Sequence, residues 1–256
     1  MTQKPLILIT NDDGITAPGI RALIEVMQQI GDIVVVAPDK PQSAMGHAIT
    51  INNTLFLNNL SKNDNTILEY SCSGTPADCV KIGINEILKK KPDLCVSGIN
   101  HGSNSSINVI YSGTMSAAIE AGIEGVPAIG FSLCDFDWEA DFEPAKIFIK
   151  KITESVLKNK LPKGVVLNVN IPKLGATAIK GIKICRQANA LWEEKFDKRT
   201  NPFGKDYYWL SGEFVNHDKG EDTDEWALAN GFVSIVPTQF DLTAHYAIQE
   251  LNSWDL

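Results

Sequence analysis

Short continuous apolar runs alternate with longer segments of helical apolar spacing along most of the chain. The runs lie at residues 5–10, 33–37, 92–98, 125–132 and 164–170. Runs of this kind are typical of strands that are covered on both faces of a parallel sheet. The segments between them carry apolar residues at intervals of three and four, which is the spacing of a helix with one buried side. This alternation predicts an α/β fold with a doubly wound, mostly parallel sheet, in which the first strand is not an edge strand.

The pattern changes after residue 178. Short segments of strand character follow, together with a polar and aromatic stretch from Trp192 to Trp209, a capped short helix, a returning strand and a last helix. We therefore divide the chain into a core, residues 1–178, and a β-rich C-terminal arm, residues 179–256. Aromatic residues in such an arm are expected to pack at an interface between subunits rather than to stack on a base.

Polar residues gather where the apolar runs end. The first run is followed by Asn11-Asp12-Asp13-Gly14, the second by Gln42–His47 and the third by Asn100–Asn104, while Ser112-Gly113-Thr114 begins the next helical segment. Because the carboxyl ends of parallel strands meet at one edge of the sheet, these four segments are expected to line one crevice.

Asp12 and Asp13 carry the most chemical information in that crevice. Turns and helix caps often contain Asp or Asn, which would explain one acid but not two adjacent ones. Two neighbouring carboxylates repel each other and are costly to bury, so a cation or a shared proton is the natural resolution. Carboxylate, hydroxyl and amide oxygens are ligands that Mg²⁺ or Mn²⁺ accepts, and backbone N–H groups at Ser112–Thr114 are suited to a phosphate. This combination predicts metal-assisted hydrolysis of a phosphate ester.

Composition narrows the function and the setting. A chain of 256 residues with 44% hydrophobic residues can bury a large core. Its formal net charge of −8 offers no basic field to DNA or another nucleic acid polymer. The five cysteines are odd in number and lie mostly in apolar segments, which is typical of reduced thiols in a cytoplasmic protein. No apolar run reaches the roughly 18 residues that a membrane helix needs, so we expect no membrane association.

The motifs taken together resemble the SurE survival proteins, a family of metal-dependent nucleoside monophosphate phosphatases. The resemblance runs in family order from residue 6 to about residue 237, nearly the whole chain. The residues that carry it are Asn11-Asp12-Asp13-Gly14 with Pro18-Gly19, Ala37-Pro38-Asp39 with Gln42-Ser43, Ser73-Gly74-Thr75-Pro76 with Asp78-Cys79-Val80, Ser97-Gly98-Ile99-Asn100 with Gly102 and Asn104, Tyr111-Ser112-Gly113-Thr114, and Thr223-Asp224 before Gly231. Each motif alone is ordinary, whereas their joint occurrence is highly specific.

The resemblance implies a site and an assembly. One divalent metal ion, Mg²⁺ or Mn²⁺, is expected on the residues that match the family's metal ligands, which are Asp12, Asp13, Ser43 and Asn100. The phosphate and the rest of the substrate are expected on a second set of residues, which are Asn11, Asn104, Ser112, Gly113 and Thr114. The resemblance further implies a Rossmann-like core and a C-terminal extension that exchanges between the subunits of a homodimer, sometimes paired into a homotetramer.

The leading hypothesis is hydrolysis of nucleoside 5′- and 3′-monophosphates by metal-activated water, with Asp12 and Asp13 as the catalytic carboxylates. A covalent aspartyl intermediate of the haloacid dehalogenase type needs two acids separated by one residue, whereas these are adjacent. Two other classes stay open: a nucleotide-sensing module without turnover, and an interaction protein whose arm carries the function. His47 and His101 lie in site loops and could protonate a leaving oxygen, but loop histidines are commonly only solvated, so neither is included among the catalytic residues.

Overall fold

A mixed sheet of nine strands forms the centre of the computed structural model, which describes residues 4–61 and 67–255. The strands are β1 (Leu6–Thr10), β2 (Asp32–Pro38), β3 (Leu57–Asn59), β4 (Leu68–Cys72), β5 (Leu94–His101), β6 (Ala128–Leu133), β7 (Val165–Ile171), β8 (Ile182–Ile184), β9 (Ala190–Thr200), β10 (Asp206–Asn216) and β11 (Val233–Gln239). The α-helices are α1 (Pro18–Met27), α2 (Pro76–Ile82), α3 (Asn108–Tyr111), α4 (Gly113–Ile123), α5 (Glu143–Asn159), α6 (Asp224–Ala229) and α7 (Ile248–Leu251). The polar turn that residues 61–65 predict lies, beyond Ser61, outside the described residues.

The strand order creates a crevice at one position of the sheet. The order is β3-β4-β2-β1-β5-β6-β7-β11-β8, and the six strands from β4 to β7 are mutually parallel. The chain builds outward from β1 to β2 and β4, then returns to the other side of β1 with β5, β6 and β7. The order therefore reverses between β1 and β5, and ligands of open α/β sheets bind at the carboxyl ends of strands at such a point. The predicted α/β fold with a central first strand is confirmed.

Both faces of the sheet are covered, as the continuous apolar runs predicted. On β1, Ile7 and Ile9 belong to the core that includes α1 and α5, whereas Leu8 belongs to the core that includes α2 and α4. All three side chains are fully buried. A Cβ at Gly19 would lie 2.0 Å from the carbonyl oxygen of Ile99, so glycine lets α1 approach β5 closely. These contacts fix the turn that follows β1 against the carboxyl end of β5.

The strands of the C-terminal arm belong to two different sheets. Strands β8 and β11 belong to the main sheet, where β11 pairs antiparallel with β7. Strands β9 and β10 form a separate antiparallel hairpin of eleven residues each, so the expectation of short strands is wrong here. Nearly every residue of this hairpin is exposed, and neither strand has the regular alternation of apolar and polar residues that identifies a strand in a sequence.

All five cysteines are free, and four of them are buried. Within residues 4–61 and 67–255, no helix has both the length and the apolar character needed to cross a membrane.

Candidate active site

The turn after β1 lies at the point where the strand order reverses. Asn11 closes this turn, because its side-chain Nδ2 donates to the carbonyl oxygen of Gly14 at 2.8 Å. Gly14 has φ of 96°, a left-handed conformation that favours glycine. The carbonyl oxygen of Asp12 accepts from the backbone N–H of Gln42 at 2.8 Å, which ties the loop containing Ser43 to the same turn. Local geometry therefore holds the two acids and the Ser43 loop together.

Asp12 is buried against the beginning of α4, with 5% of its surface exposed. The Thr114 hydroxyl donates to Asp12 Oδ1 at 2.5 Å, and a Cβ at Gly113 would lie only 2.6 Å from Asp12 Cβ. Burial and, to a smaller extent, repulsion by Asp13 raise the pKa of Asp12 to about 6, although the hydrogen bond from Thr114 opposes this shift. Without a cation, the ionised form of the Asp12 carboxyl is therefore disfavoured relative to the neutral form.

Asp13 makes its contacts on the other side of the crevice, with His101 at the end of β5. Asp13 Oδ2 lies 2.9 Å from His101 Nδ1 and accepts the backbone N–H of His101 at 3.3 Å. The imidazole stacks on Trp138 with ring centroids 5.2 Å apart and meets the edge of Phe142 at 5.0 Å. The hydrogen bond with Asp13 raises the pKa of His101. The imidazole is thus fixed by two aromatic rings and in turn fixes the Asp13 carboxylate.

Helix α4 presents its amino terminus beside Asp12. Ser112 is the N-cap residue, and its hydroxyl accepts from the backbone N–H of Met115 at 3.0 Å. The Thr114 hydroxyl therefore donates to Asp12, whereas the Ser112 hydroxyl accepts in the cap and keeps its own O–H as a donor. This segment can offer an anion the Ser112 O–H, backbone N–H groups of its first turn and the positive end of an eleven-residue helix.

The oxygen donors near the turn suit a hard divalent cation. Asn11 is fully buried, and its Oδ1 has no hydrogen-bond partner within the described part of the chain. Asn100 donates Nδ2 to the carbonyl oxygen of Gly102 at 2.9 Å, which leaves its Oδ1 available. The described residues contain no group of three or more His, Cys, Asp or Glu side chains suited to a metal ion. Two carboxylates with amide and hydroxyl oxygens fit Mg²⁺ or Mn²⁺, which keep several waters, better than Zn²⁺.

Comparison with known proteins shows the family to which the chain belongs. The family model described as survival protein SurE matches residues 7–194. The chain belongs to the SurE family. A relative named 5′-nucleotidase SurE from Flavobacterium johnsoniae is 77% identical over 254 residues, which cover 99% of this chain and 98% of the relative. A relative of the same name from Cytophaga hutchinsonii is 63% identical, covering 97% and 96% of the two chains. The crystal structure of the SurE protein from Aquifex aeolicus is 40% identical with a TM-score of 0.85, covering 97% of this chain and 98% of that one.

The SurE residues predicted from the sequence differ in how the structure presents them. Asp12, Gly113 and Thr114 form one contact group, and Asn11 closes the turn that carries Asp12. Ser43 is exposed in the loop that begins beside the turn, and the backbone N–H of its neighbour Gln42 donates to the carbonyl oxygen of Asp12. Membership of the SurE family, which these residues indicated, is confirmed. Their roles as metal ligands and substrate-binding residues stay predictions.

Asn104, the remaining predicted substrate residue, is buried and makes hydrogen bonds with polar residues of β6 and β7. Its backbone N–H donates to Asn170 Oδ1 at 2.8 Å, its Nδ2 to the Ser132 hydroxyl at 2.7 Å, and its carbonyl oxygen accepts from Asn168 Nδ2 at 2.8 Å. Sequence reasoning did not single out these three partners. The available signal was two asparagines at alternate positions of an otherwise apolar strand, β7, whose burial must be compensated by hydrogen bonds.

His47, which was considered as a proton donor to a leaving oxygen, instead contacts Glu120 of α4. Its Nε2 lies 2.7 Å from Glu120 Oε2, and the other oxygen of that carboxylate accepts from Lys81 Nζ at 2.6 Å. His47 therefore ties the loop of Ser43 to α4, which is a structural role that the sequence did not reveal.

Proposed function

We propose that this SurE protein is a metal-dependent phosphomonoesterase that hydrolyses nucleoside 5′- and 3′-monophosphates to nucleoside and phosphate. The observation that carries the proposal is the placement of Asp12 and Asp13 at the reversal of the strand order, beside the amino terminus of α4. Two carboxylates alone would repel a phosphate ester, whereas the same carboxylates with a divalent cation would attract it. Relatives of 63–77% identity named 5′-nucleotidase SurE support a nucleotide as the substrate.

One divalent ion, Mg²⁺ or Mn²⁺, would be held by Asp12, Asp13, Ser43 and Asn100. When bound, such an ion polarises a phosphoryl oxygen and lowers the pKa of an attacking water. The raised pKa of Asp12 supports a cation here, because a positive charge is what would stabilise its ionised form. In this arrangement both acids serve as ligands rather than as nucleophiles.

The other residues of the site orient the two carboxylates or bind the substrate. Thr114 fixes one oxygen of Asp12, and His101 fixes Asp13, so neither carboxylate has to be ordered when ligands bind. Backbone N–H groups from Gly113 onward would receive the phosphate, and Asn11 and Asn104 would line the substrate pocket. The absence of a Cβ at Gly113 is what lets the helix end approach Asp12 closely.

The assembly we propose is a homodimer or homotetramer built through the arm, residues 179–256. The hairpin of that arm exposes large apolar side chains, including Phe196 at 66% and Leu210 at 60%. Exposed apolar surface of this kind is typical of subunit interfaces. With a formal charge of −8, the protein is expected to act on small nucleotides in the cytoplasm and not on DNA.

The test is phosphate release from a panel of nucleoside 5′- and 3′-monophosphates with Mg²⁺, with Mn²⁺ or with EDTA. We expect turnover that requires the ion and is lost in Asp12→Asn, while Asp32→Asn, an exposed acid at the start of β2, keeps wild-type activity. Turnover that neither EDTA nor Asp12→Asn reduces would contradict the metal mechanism. Nucleotide binding without turnover would instead favour the sensing module, and a phosphoenzyme trapped on Asp12 would contradict direct attack by water.

A further inference from the structure

A buried carboxylate outside the site joins the substrate loop to the base of the arm hairpin. Asp224, at the start of α6, is 1% exposed. Its Oδ2 accepts from the backbone N–H of Ser106 at 2.8 Å, and its Oδ1 accepts from the N–H groups of Ala188 and Glu225, each at 2.9 Å. Three backbone donors compensate the cost of burying this charge. Two of the donors, Ser106 and Ala188, lie in segments distant in sequence from α6, so the carboxylate holds both of these segments against this helix.

The substrate loop, which we define as residues 102–107 between β5 and α3, makes a second link to the hairpin through Ser106. The Ser106 hydroxyl donates to the carbonyl oxygen of Ala188 at 2.8 Å and accepts from the N–H of Ala190, the first residue of β9, at 3.2 Å. Ser106 has φ of 51°, which is uncommon for a residue other than glycine. The preceding Ser105 hydroxyl donates to Glu225 of α6. The loop is thus held at its far end by α6 and the hairpin base.

The near end of the substrate loop is held by the main sheet. Asn104 is only two residues before Ser106, and its backbone and side chain are bound by Ser132, Asn168 and Asn170, as described above. Asn104 therefore lies between one set of contacts from β6 and β7 and another centred on Asp224. Loss of the Asp224 contacts would release the far end of the loop, whereas Gly102, which accepts from Asn100 Nδ2, lies at the near end.

We propose that Asp224 is a positioning residue for phosphate binding, which sets the place of Asn104 by holding the substrate loop against the hairpin base. Asp224 touches no residue that we assign to the metal. A change at this carboxylate therefore weakens the binding of the substrate phosphate without weakening the binding of the ion. The inference rests on the proposed nucleotidase function, in which Asn104 lines the substrate pocket.

The decisive variant is Asp224→Asn, compared with Asp222→Asn two residues away. In Asp224→Asn an amide NH₂ replaces one oxygen acceptor and faces a backbone N–H, so at least one of the three hydrogen bonds is lost. Asp222 is exposed, and its carboxylate pairs with Arg186 at 2.9 Å rather than with the loop. We expect Asp224→Asn to raise KM for the nucleotide and Ki for inorganic phosphate about tenfold, which is the change in affinity that corresponds to the loss of one hydrogen bond to a charged group. Mn²⁺ affinity measured by calorimetry stays at the wild-type value, and Asp222→Asn changes none of the three constants.

A second variant tests the proposal if Asp224→Asn folds poorly. Ser106→Gly keeps the positive φ and the N–H that binds Asp224, but removes the hydroxyl that binds the hairpin base. It is expected to raise the same two constants, and the two substitutions combined are expected to raise them by less than the product of the single effects.

An unchanged KM and Ki in folded variants would overturn the proposal, as would a loss of Mn²⁺ affinity in parallel with the loss of phosphate affinity. A wild-type protein that hydrolyses no nucleotide would contradict the proposed function instead. In that case the affinity for inorganic phosphate in the presence of Mn²⁺ still decides whether Asp224 positions the loop.

Discussion

Replacing Asp12 by asparagine should stabilise the metal-free protein while removing its capacity to hold the ion. The pKa of Asp12 rises from 3.8 to about 6 on folding, chiefly through burial. Between these values the folded chain binds more protons than the unfolded chain, so its free energy of unfolding falls as the pH rises through this range. At about 1.4 kcal/mol per pH unit, the ionised carboxylate costs the metal-free fold about 3 kcal/mol at pH 7 and above.

Asp12→Asn removes this cost because the amide is neutral and nearly isosteric, and its oxygen can still accept from Thr114. In EDTA at pH 8 we expect Asp12→Asn to unfold at a Tm higher by about 6–12 °C, since about 1 kcal/mol corresponds to about 2–4 °C in a chain of this size. At pH 4 most of the advantage disappears, because Asp12 is then protonated. Thermal unfolding in EDTA at both pH values measures the difference. Asp32→Asn, a change at an exposed acid, is the control and should show no comparable gain.

Metal addition supplies the second half of the test. Saturating Mn²⁺ should raise the Tm of the wild-type protein and leave that of Asp12→Asn nearly unchanged, because binding to the folded state alone stabilises it. The reasoning is refuted if Asp12→Asn gains nothing at pH 8, or if it gains equally at pH 4 and pH 8.

Further predictions concern the surroundings of Asp12 and the arm. Gly113→Ala places a methyl group 2.6 Å from Asp12 Cβ and should lower Mn²⁺ affinity in calorimetry about tenfold or more, whereas Gly175→Ala, with nothing within 4 Å, should not. Thr114→Val removes the hydrogen bond that lowers the pKa of Asp12, so in the metal-free protein the Asp12 carboxyl should titrate at higher pH in an NMR titration; an unmoved titration would contradict this role. Phe196→Asp places a charge on the exposed hairpin and should shift the protein toward monomer in sedimentation, while an unchanged sedimentation coefficient would argue against assembly through the arm.

The sequence predicted those features that local patterns determine. The position of β1 inside the sheet could be predicted from its uninterrupted apolar run. Such a run is typical of a strand that is covered on both faces, because every side chain is then buried. The junction of Asp12 with the start of α4 followed from strand direction, because loops at the carboxyl ends of parallel strands meet.

Contacts between distant residues were beyond the sequence. The hydrogen bond from the Thr114 hydroxyl to Asp12 spans 102 positions, and the one from the Ser106 N–H to Asp224 spans 118. Nothing in the chemistry of a single Ser or Asp selects one partner among many, so such pairs appear only once the sheet order is known. His47 illustrates the same limit, because a loop histidine has no pattern that identifies Glu120 as its partner.

The most direct test of the metal mechanism is to follow Mn²⁺ binding and nucleoside monophosphate hydrolysis on the same EDTA-stripped protein. We predict that activity rises in proportion to bound Mn²⁺ and reaches its maximum at one ion per chain, with neither binding nor activity in Asp12→Asn. Hydrolysis by the ion-free protein, or wild-type Mn²⁺ affinity in Asp12→Asn, would contradict the assignment of the ion to the turn after β1.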